Sequence, residues 1–357
     1  MLCLLALLLA PPQAMAGDSP ARWAALAGWA EDVLAAAWPA LLRSCRQALA
    51  GQEAWRAGCA AAEALPADAP DAARRALLQS WLQPVDHGTG LLTGYYEPAL
   101  RGALAPGGRF LTPLRAPPPD LAPDALLPDR AAIEAGALDG RAAPILWVDD
   151  PVDAFFLQIQ GSGRVALHDG RVVRVGYAGR NGQPYQPIGR LLIERGAIAR
   201  EAMSMQAIRA WLAAAAPEEA RALLHANPAY VFFRVLEGLA PEQGPIGTLG
   251  VPLTPGRSMA VDPAQVPLGA PVWVVARDPL DGTPIRRLVL AQDTGGAIRG
   301  RARGDLFFGW GTEAGQRAGL MQDREARLFV LLPRSMPATA PAPAASAGSA
   351  AASAALD

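Results

Sequence analysis

The stretch that decides the fold reads LVLAQDTGGAIRGRARGDLFFG and runs from Leu288 to Gly309. It opens with a short apolar run that is typical of a buried strand. This pattern ends at Asp293, where two glycines follow and permit a tight turn. Asp305 comes twelve residues later, beside further apolar residues. Two such carboxyls predict an acid/base site, because burial raises the pKa of one while hydrogen bonds keep the other ionised.

Two other interpretations of these aspartates follow from the residue types. Asp beside Gly is ordinary turn chemistry, in which case Asp293 caps a turn and Asp305 lies in a surface loop. Apolar residues followed by Asp-Thr-Gly also match aspartic peptidases, whose two aspartates share a proton. That chemistry needs a second Asp-Thr-Gly or Asp-Ser-Gly, from a repeat or a symmetric dimer. The sequence has no second copy and is long for a dimeric peptidase, so we disfavour this class.

The two ends of the chain indicate an exported protein. Residues 1–16 contain an apolar core followed by Ala14-Met15-Ala16, which is typical of a cleaved signal peptide too short to span a membrane. Cys3 has no lipobox before it, so the sequence does not support an outer-membrane lipid anchor. Residues 335–357 are rich in Pro, Ala and Ser, which predicts a disordered tail. We expect a periplasmic, cell-envelope location.

Composition narrows the class of protein between these ends. The net charge is −1 and 18% of residues are charged, which argues against a nucleic-acid partner. Residues 17–90 have helical composition and predict a helical lead-in. Cys45 and Cys59 remain after cleavage and predict a disulfide in an oxidising compartment. Two cysteines without clustered His or acidic residues provide too few ligands for a metal site.

The chain becomes β-rich at Leu91. The predicted strands include Ala154–Ile159, and a hairpin is predicted around Asp169-Gly170. Helices are predicted at Ile188–Arg195 and Ser204–Ala215, with Ser204 as an N-cap. From residue 230 the pattern is again β-rich and leads into the opening stretch.

Several segments together resemble the membrane-bound lytic murein transglycosylase A family, including its C-terminal three-aspartate module. The resemblance covers about residues 91–333, and the module's aspartates fall at Asp262, Asp293 and Asp305. The matching segments are TGYYEP (93–98), LQIQGSG (157–163), GYAGRNGQPY (176–185), MSMQAIRAWL (203–212), NPAYVFF (227–233), GRSMAVD (256–262), AQDTGGAIRG (291–300), GDLFFG (304–309) and TEAGQRAG (312–319).

The resemblance implies a mainly β fold, a double-psi β-barrel with an inserted second β domain. The barrel would comprise residues 91–100 and 229–334, and the insert residues 101–228. A groove between them would bind peptidoglycan glycan strands. The resemblance implies no cofactor and no metal, and we expect a monomer that associates with cell-wall remodelling proteins.

The resemblance also implies the reaction and its residues. The β-1,4 bond between N-acetylmuramic acid and N-acetylglucosamine is cleaved without water, as the muramyl 6-hydroxyl attacks C1 and leaves a 1,6-anhydro ring. By position in the motif, Asp305 matches the acid/base and Asp293 the aspartate that assists it. The expected substrate-binding residues are Thr93, Tyr95, Gln158, Gln160, Ser162, Tyr177, Asn181 and Asp262.

Two alternatives stay open at this stage. One is an inverting cell-wall hydrolase that uses Asp293 and Asp305 as a carboxylate pair. The other is a non-catalytic peptidoglycan-binding module. An arginine in the RGRARG segment, at 299, 301 or 303, would also lower the pKa of a neighbouring aspartate rather than raise it.

Overall fold

The computed structural model describes residues 23–336. The predicted signal peptide, Cys3 and nearly all of the predicted tail lie outside these residues. Within them, no helix is both long and apolar enough to cross a membrane.

A helical segment precedes the first strand and packs on the barrel. Its buried tryptophans contact the barrel directly, because the rings of Trp29 and Trp273 meet edge to face at 5.1 Å between centroids. The elements are a 3₁₀ turn Leu34–Ala36, α1 Trp38–Ser44, a π-helical turn Cys45–Leu49, α2 Glu53–Ala64 and α3 Asp71–Trp81.

The predicted disulfide between Cys45 and Cys59 is confirmed. It joins the π-helical turn to α2, and both cysteines are buried in the core that the lead-in shares with the barrel.

Removal of this disulfide should cost stability. A loop of about fifteen residues corresponds to roughly 3 kcal/mol of lost loop-closure entropy in the unfolded chain. We expect Cys45→Ala/Cys59→Ala to lower the free energy of unfolding by about this amount, measured by urea denaturation. Reductant should shift the wild-type midpoint and leave that of the double variant unchanged. Equal midpoints for wild type and double variant would contradict the prediction.

The first sheet is a closed six-stranded barrel with strand order β1-β11-β8-β10-β9-β12. Two of its pairings are parallel, β1 with β11 and β8 with β10, and the others are antiparallel. A helix, α9 Gly311–Leu320, connects the last two strands. The barrel strands are β1 Leu82–Glu97, β8 Ser258–Val261, β9 Pro271–Arg277, β10 Pro284–Thr294, β11 Arg303–Trp310 and β12 Gln322–Pro333.

A second six-stranded sheet is inserted between β1 and β8, in the order β3-β4-β2-β5-β6-β7. Its strands are β2 Ala99–Ala103, β3 Thr112–Arg115, β4 Pro144–Val148, β5 Ser162–Leu167, β6 Val172–Arg180 and β7 Val231–Leu236. Its helices are α4 Arg130–Glu134, α5 Pro151–Gln160, α6 Ile188–Glu194, α7 Met205–Ala214 and α8 Pro217–His225. The expected mainly β fold, a barrel with an inserted sheet and a helical lead-in, is thus confirmed.

Buried charges tie the two sheets together where the chain crosses between them. Glu97, at the end of β1, is fully buried and accepts hydrogen bonds from Arg174 at 2.7 Å and Arg164 at 2.8 Å. Arg164 also donates to the carbonyl oxygens of Pro241 and Gln243, on the segment that returns to the barrel. The outgoing and returning crossovers therefore share one ion-paired anchor.

The expected domain boundaries require correction. The lead-in was expected to extend to residue 90, but β1 begins at Leu82 because the segment from Leu82 to Gly90 pairs with β12. The insert was expected to end at residue 228, but β7 pairs with β6 and belongs to the second sheet. Its nearly continuous apolar sequence fits either sheet, so the sequence pattern could not assign it.

The apolar run Ala154–Ile159 is helical, not a strand as predicted. It lies in α5, where the Asp150 side chain accepts a hydrogen bond from the Val152 amide and Pro151 starts the first turn. Gly161 ends the helix in the left-handed conformation, at φ 76°. A short continuous apolar run fits a buried strand or a buried helix equally, and here the capping residues decide. The predicted hairpin and the helix with its Ser204 cap are confirmed.

Candidate active site

Asp293 and Asp305 lie in one row across the barrel wall. Ala260 on β8 pairs with Asp293 of β10 on one side and with Asp305 of β11 on the other. Thr93 of β1 pairs with Asp305 and extends the row. Because neighbouring strands are about 4.8 Å apart, the Cα atoms of the two aspartates are about 10 Å apart. The fold therefore brings together the two carboxyls that the sequence singled out.

Asp305 is fully buried. Its Oδ1 accepts a hydrogen bond from the Thr93 hydroxyl at 2.7 Å, and that hydroxyl oxygen in turn accepts one from Arg303 at 2.9 Å. A small buried apolar cluster lies beside the row and comprises Tyr95, Leu253, Ala260, Ile298 and Phe307. Asp305 is thus buried beside the Thr93 hydroxyl, with the Arg303 guanidinium one hydrogen bond further along.

Asp293 has a different environment, because protein donors occupy both of its oxygens. Its Oδ1 accepts from the Thr248 amide, the Thr248 hydroxyl and the Thr294 amide, each at 2.9 Å. Its Oδ2 accepts from the Tyr95 hydroxyl at 3.0 Å. Burial raises the pKa of Asp293, and the donated hydrogen bonds oppose that rise.

Both carboxyls influence the pKa of Tyr95. Burial raises its pKa well above the ordinary value, and the charges of Asp293 and Asp305 raise it further. The phenol therefore stays protonated and donates to Asp293.

Asp262, the third aspartate of the module, holds a loop. Its Oδ2 accepts from the Gly300 amide at 2.8 Å, and its Oδ1 from the Ala264 amide. Gly300 has φ 107°, a conformation that favours glycine. The loop carries Ile298 into the apolar cluster beside the aspartates. The Asp262 carboxylate is thus bonded to backbone amides, and substrate binding by this residue stays a prediction.

The three arginines of the RGRARG segment donate hydrogen bonds to different groups. Arg299 donates to the carbonyl oxygens of Gly295 and Ile298, and Arg301 donates to that of Asp86. Arg303 is the one whose hydrogen bonds reach the row, through Thr93.

A cavity of about 200 Å³ lies between the barrel and the second sheet. Five of the predicted site residues line it: Tyr95, Gln160, Ser162, Tyr177 and Asp293. Gln160 also accepts a hydrogen bond from the Tyr96 amide at 3.0 Å, which fixes the helix end against β1. Thr93 and Asp305 do not line the cavity and are buried in the barrel wall. A larger cavity of about 480 Å³ lies beside the lead-in, away from both aspartates, and Glu31 is the one carboxyl that lines it.

Two predicted substrate-binding residues, Gln158 and Asn181, hydrogen-bond to groups of neighbouring segments. The Gln158 carbonyl oxygen accepts from Arg130 at 2.8 Å and from the Val231 amide. Asn181 is fully buried, donates to the carbonyl oxygens of Pro128 and Pro228, and accepts from the Tyr230 amide. These amides thus hold neighbouring segments together, and substrate binding by the two residues stays a prediction.

The sequence-based prediction missed the two polar side chains Thr248 and Arg234, which also line the cavity. Thr248 provides two of the four donors to Asp293. Its loop packs closely against β10, because a Cβ at Gly247 would lie 2.6 Å from the carbonyl oxygen of Gln292. Neither residue stands in a segment with a recognisable local pattern, so only the tertiary structure reveals that both line the cavity.

Gln292, directly before Asp293, connects the active-site strand to the lead-in. It is fully buried, and its Nε2 donates to the Ala40 carbonyl oxygen and the Ser44 hydroxyl, each at 2.9 Å. Its Oε1 accepts from the Ser258 hydroxyl at 2.6 Å. Ser44 is the neighbour of Cys45, so the disulfide-bonded turn supports the strand that carries Asp293.

We expect Gln292→Leu to destabilise the fold although the two side chains are similar in volume. The change leaves buried polar groups on α1 and β8 without partners, at about 1–3 kcal/mol for each group. Urea denaturation should show a loss of about 2–4 kcal/mol, whereas Gln265→Leu in the exposed turn after β8 should cost far less. If Gln292→Leu leaves the free energy of unfolding unchanged, the hydrogen bonds of Gln292 do not stabilise the fold.

Within residues 23–336, no group of three or more His, Cys, Asp or Glu side chains is arranged to hold a metal ion.

Comparison with known proteins agrees with this geometry. Residues 91–234 match the family model described as the MltA specific insert domain, and residues 257–332 match the 3D domain. The chain is 38% identical over 242 residues to the membrane-bound lytic murein transglycosylase A of Escherichia coli K12. That alignment covers 66% of this chain and 63% of the relative, so the match spans less than two thirds of the relative's length.

Solved structures extend the similarity over most of the chain. The lytic transglycosylase LtgG of Burkholderia pseudomallei is 43% identical, with a TM-score of 0.61 over 88% of this chain and 94% of that one. E. coli MltA with bound chitohexaose is 32% identical, with a TM-score of 0.68 over 84% of this chain and 90% of that one. By its two family modules and these relatives, the chain belongs to the membrane-bound lytic murein transglycosylase A family.

Proposed function

We propose that the protein is a peptidoglycan lytic transglycosylase that uses Asp305 as its single acid/base. The observation that carries the proposal is the strand register that sets Asp293 and Asp305 on either side of Ala260, in one row of the barrel. Four protein donors hold Asp293, and Asp305 lies fully buried in the same row beside the Thr93 hydroxyl. Family membership supports the choice of substrate.

Protons and bonds balance with one carboxyl. Asp305, as the acid, protonates the glycosidic oxygen, which departs with N-acetylglucosamine as its bond to the muramyl C1 breaks. The resulting carboxylate then takes the proton from the muramyl 6-hydroxyl as that oxygen bonds to C1. Asp305 ends protonated, as it began, and no water is consumed.

Asp293 stabilises charge in this scheme. Positive charge develops at C1 as the leaving group departs, and a fixed carboxylate lowers the energy of that state. The four donors hold Asp293 in place and counteract the rise in its pKa, so they favour the ionised form.

A two-carboxylate hydrolase fits this arrangement less well. An inverting hydrolase needs one carboxylate to accept a proton from a water on the far side of the sugar ring. Asp293 is the candidate for that role, and its oxygens already accept from Thr248, Thr294 and Tyr95.

The groove must widen for glycan to reach the acid. Asp305 is fully buried, and the apolar cluster and the loop held by Asp262 lie beside it. We infer that glycan binding separates the second sheet from the barrel or displaces this loop.

Analysis of murein digests by mass spectrometry separates the candidate functions. A lytic transglycosylase leaves 1,6-anhydromuramic ends, a hydrolase leaves reducing ends, and a binding module leaves no new ends. Anhydro ends are expected. Reducing ends would overturn the proposed mechanism, and intact murein would overturn enzymatic function.

The location and partners follow from the same proposal. We propose that the chain is exported, is cleaved near Ala16 and acts as a monomer on glycan strands in the periplasm, within a cell-wall remodelling complex. Edman sequencing of the periplasmic protein should begin near Gly17. Recovery of Met1 or of a lipid on Cys3 would contradict this.

The groove itself yields a binding prediction. Tyr177 lines the cavity from β6 and is partly buried, so its ring is placed to cover a sugar face. Tyr177→Ala should weaken chitohexaose binding by about tenfold, the equivalent of one lost ring contact of 1–1.5 kcal/mol. Titration calorimetry measures this, with Val172→Ala on the exposed start of the same strand as the control. Equal affinities would assign Tyr177 a structural role.

A further inference from the structure

Arg234 brings an unpaired positive charge to the groove. It lies on β7 opposite Gly176 of β6, its side chain is exposed, and it lines the cavity with Asp293. Within residues 23–336 its guanidinium makes no hydrogen bond to, or ion pair with, a carboxylate.

The carboxylates of this region have hydrogen-bond partners other than Arg234. Asp293 is the other charged residue that lines the cavity, and its oxygens accept from Thr248, Thr294 and Tyr95. Arg174, on β6 beside Arg234, shares the buried Glu97 with Arg164, so that carboxylate is already paired with two guanidinium groups. Within residues 23–336, neither Asp293 nor Glu97 is hydrogen-bonded to Arg234, whose exposed guanidinium is open to a carboxylate of the ligand.

A neutral sugar chain leaves this cation without a partner. N-acetylglucosamine carries no charge, and neither do the hydroxyl and acetamide groups of N-acetylmuramic acid. The one anionic substituent of such a strand is on the 3-O-lactyl arm. This is the lactyl carboxylate itself where the strand is naked, and a peptide carboxylate where a stem peptide is attached. Arg is suited to such a group, because its planar fork donates two parallel hydrogen bonds to a carboxylate.

We propose that Arg234 forms a carboxylate subsite for the lactyl arm of a muramyl residue and so selects peptidoglycan over neutral chitin-type strands. This rests on the proposed function for the identity of the strand. A subsite on the second sheet would fix the position of a muramyl ring relative to the barrel, which carries Asp305.

Binding measurements with three ligands test the subsite. All variants carry Asp305→Asn, so that ligand is not consumed, and the ligands are chitohexaose, a naked strand of alternating N-acetylglucosamine and N-acetylmuramic acid, and the same strand with stem peptides. Arg234→Gln should leave the Kd for chitohexaose within twofold of its parent. It should raise the Kd at least tenfold for one or both carboxylate ligands, as expected for a lost charge-assisted hydrogen bond.

The two carboxylate ligands distinguish the source of the anion. A loss confined to the naked strand identifies the lactyl carboxylate, and a loss confined to the peptide-bearing strand identifies a peptide carboxylate. Arg234→Lys keeps the charge but not the planar fork of donors. Its Kd for the carboxylate ligands should therefore lie between that of the parent and that of Arg234→Gln. Arg171→Gln removes an exposed arginine from the turn before β6, outside the cavity, and should change nothing.

Two results would overturn the subsite. One is an equal loss for all three ligands, and the other is no loss for any. Circular dichroism of each variant separates misfolding from lost binding. Wild-type anhydro ends are measured separately, so a failure of the subsite is distinguishable from a failure of the proposed function.

Discussion

Asp305→Asn is expected to lower the rate of anhydro-end formation by about 10⁴-fold or more. General acid/base catalysis contributes about 10²–10⁴-fold, and a single group that serves both half-steps should reach the upper end of that range. The amide keeps the shape of the side chain, and its oxygen can still accept from Thr93, so the fold should persist. It cannot, however, transfer a proton.

Three measurements complete this prediction. Glycan affinity should be retained, because a neutral amide can still bond the bridging oxygen. Thermal unfolding should show a native fold. Asp281→Asn, on the exposed turn between β9 and β10, is the matched control and should keep full activity. Near-normal formation of anhydro ends by Asp305→Asn would transfer the role to Asp293 or Asp262.

Asp293→Asn should be the second most damaging change, with a rate loss of about 10²–10³-fold. Loss of one preorganised electrostatic group from an active site costs about this much. The amide oxygen can replace Oδ1 as the acceptor for Thr248 and Thr294, and the Tyr95 hydroxyl can rotate to accept from the amide nitrogen. Geometry should therefore survive while the negative charge is lost. In a hydrolase pair the two substitutions would instead be comparably damaging.

The pH dependence of stability provides an independent check on Asp293. Burial raises the pKa of this carboxyl in the folded protein, so the folded state binds the proton more tightly than the unfolded state does. This contribution favours folding at low pH and is lost as pH rises from the ordinary carboxyl range through the raised pKa. Asp293→Asn removes it. The stability of the variant relative to wild type should thus increase with pH over that window, measured by urea denaturation at several pH values. A difference that does not change with pH would contradict the raised pKa.

Much of the site could be predicted from local sequence. An apolar strand that ends in Asp-Thr-Gly-Gly predicted where Asp293 lies, and an apolar flank predicted the burial of Asp305. The register of β8 with its two neighbours then places both aspartates opposite Ala260. Cys45 and Cys59 were predicted as a pair because no other partner remained after export.

The remaining features depend on contacts between segments distant in sequence. Asn181 stands in a polar loop whose composition is typical of carbohydrate recognition, yet its amide satisfies backbone groups from two other loops. Thr248 has no local motif and becomes important because its loop folds against the strand before Asp293. Gln292 follows an apolar run in sequence, and its partners on α1 lie 252 and 248 residues away. A single sequence contains no signal for such pairings.

The central claim is that one aspartate cleaves the glycan without water, and digestion of murein in water enriched in heavy oxygen tests it most directly. The wild-type protein should produce 1,6-anhydro ends that carry no heavy oxygen, because the atom that joins C1 is the substrate's own 6-hydroxyl. Asp305→Asn should produce almost no new ends. Heavy oxygen at C1 of the muramyl ends produced by the wild-type protein would show that water is the nucleophile and would contradict the account.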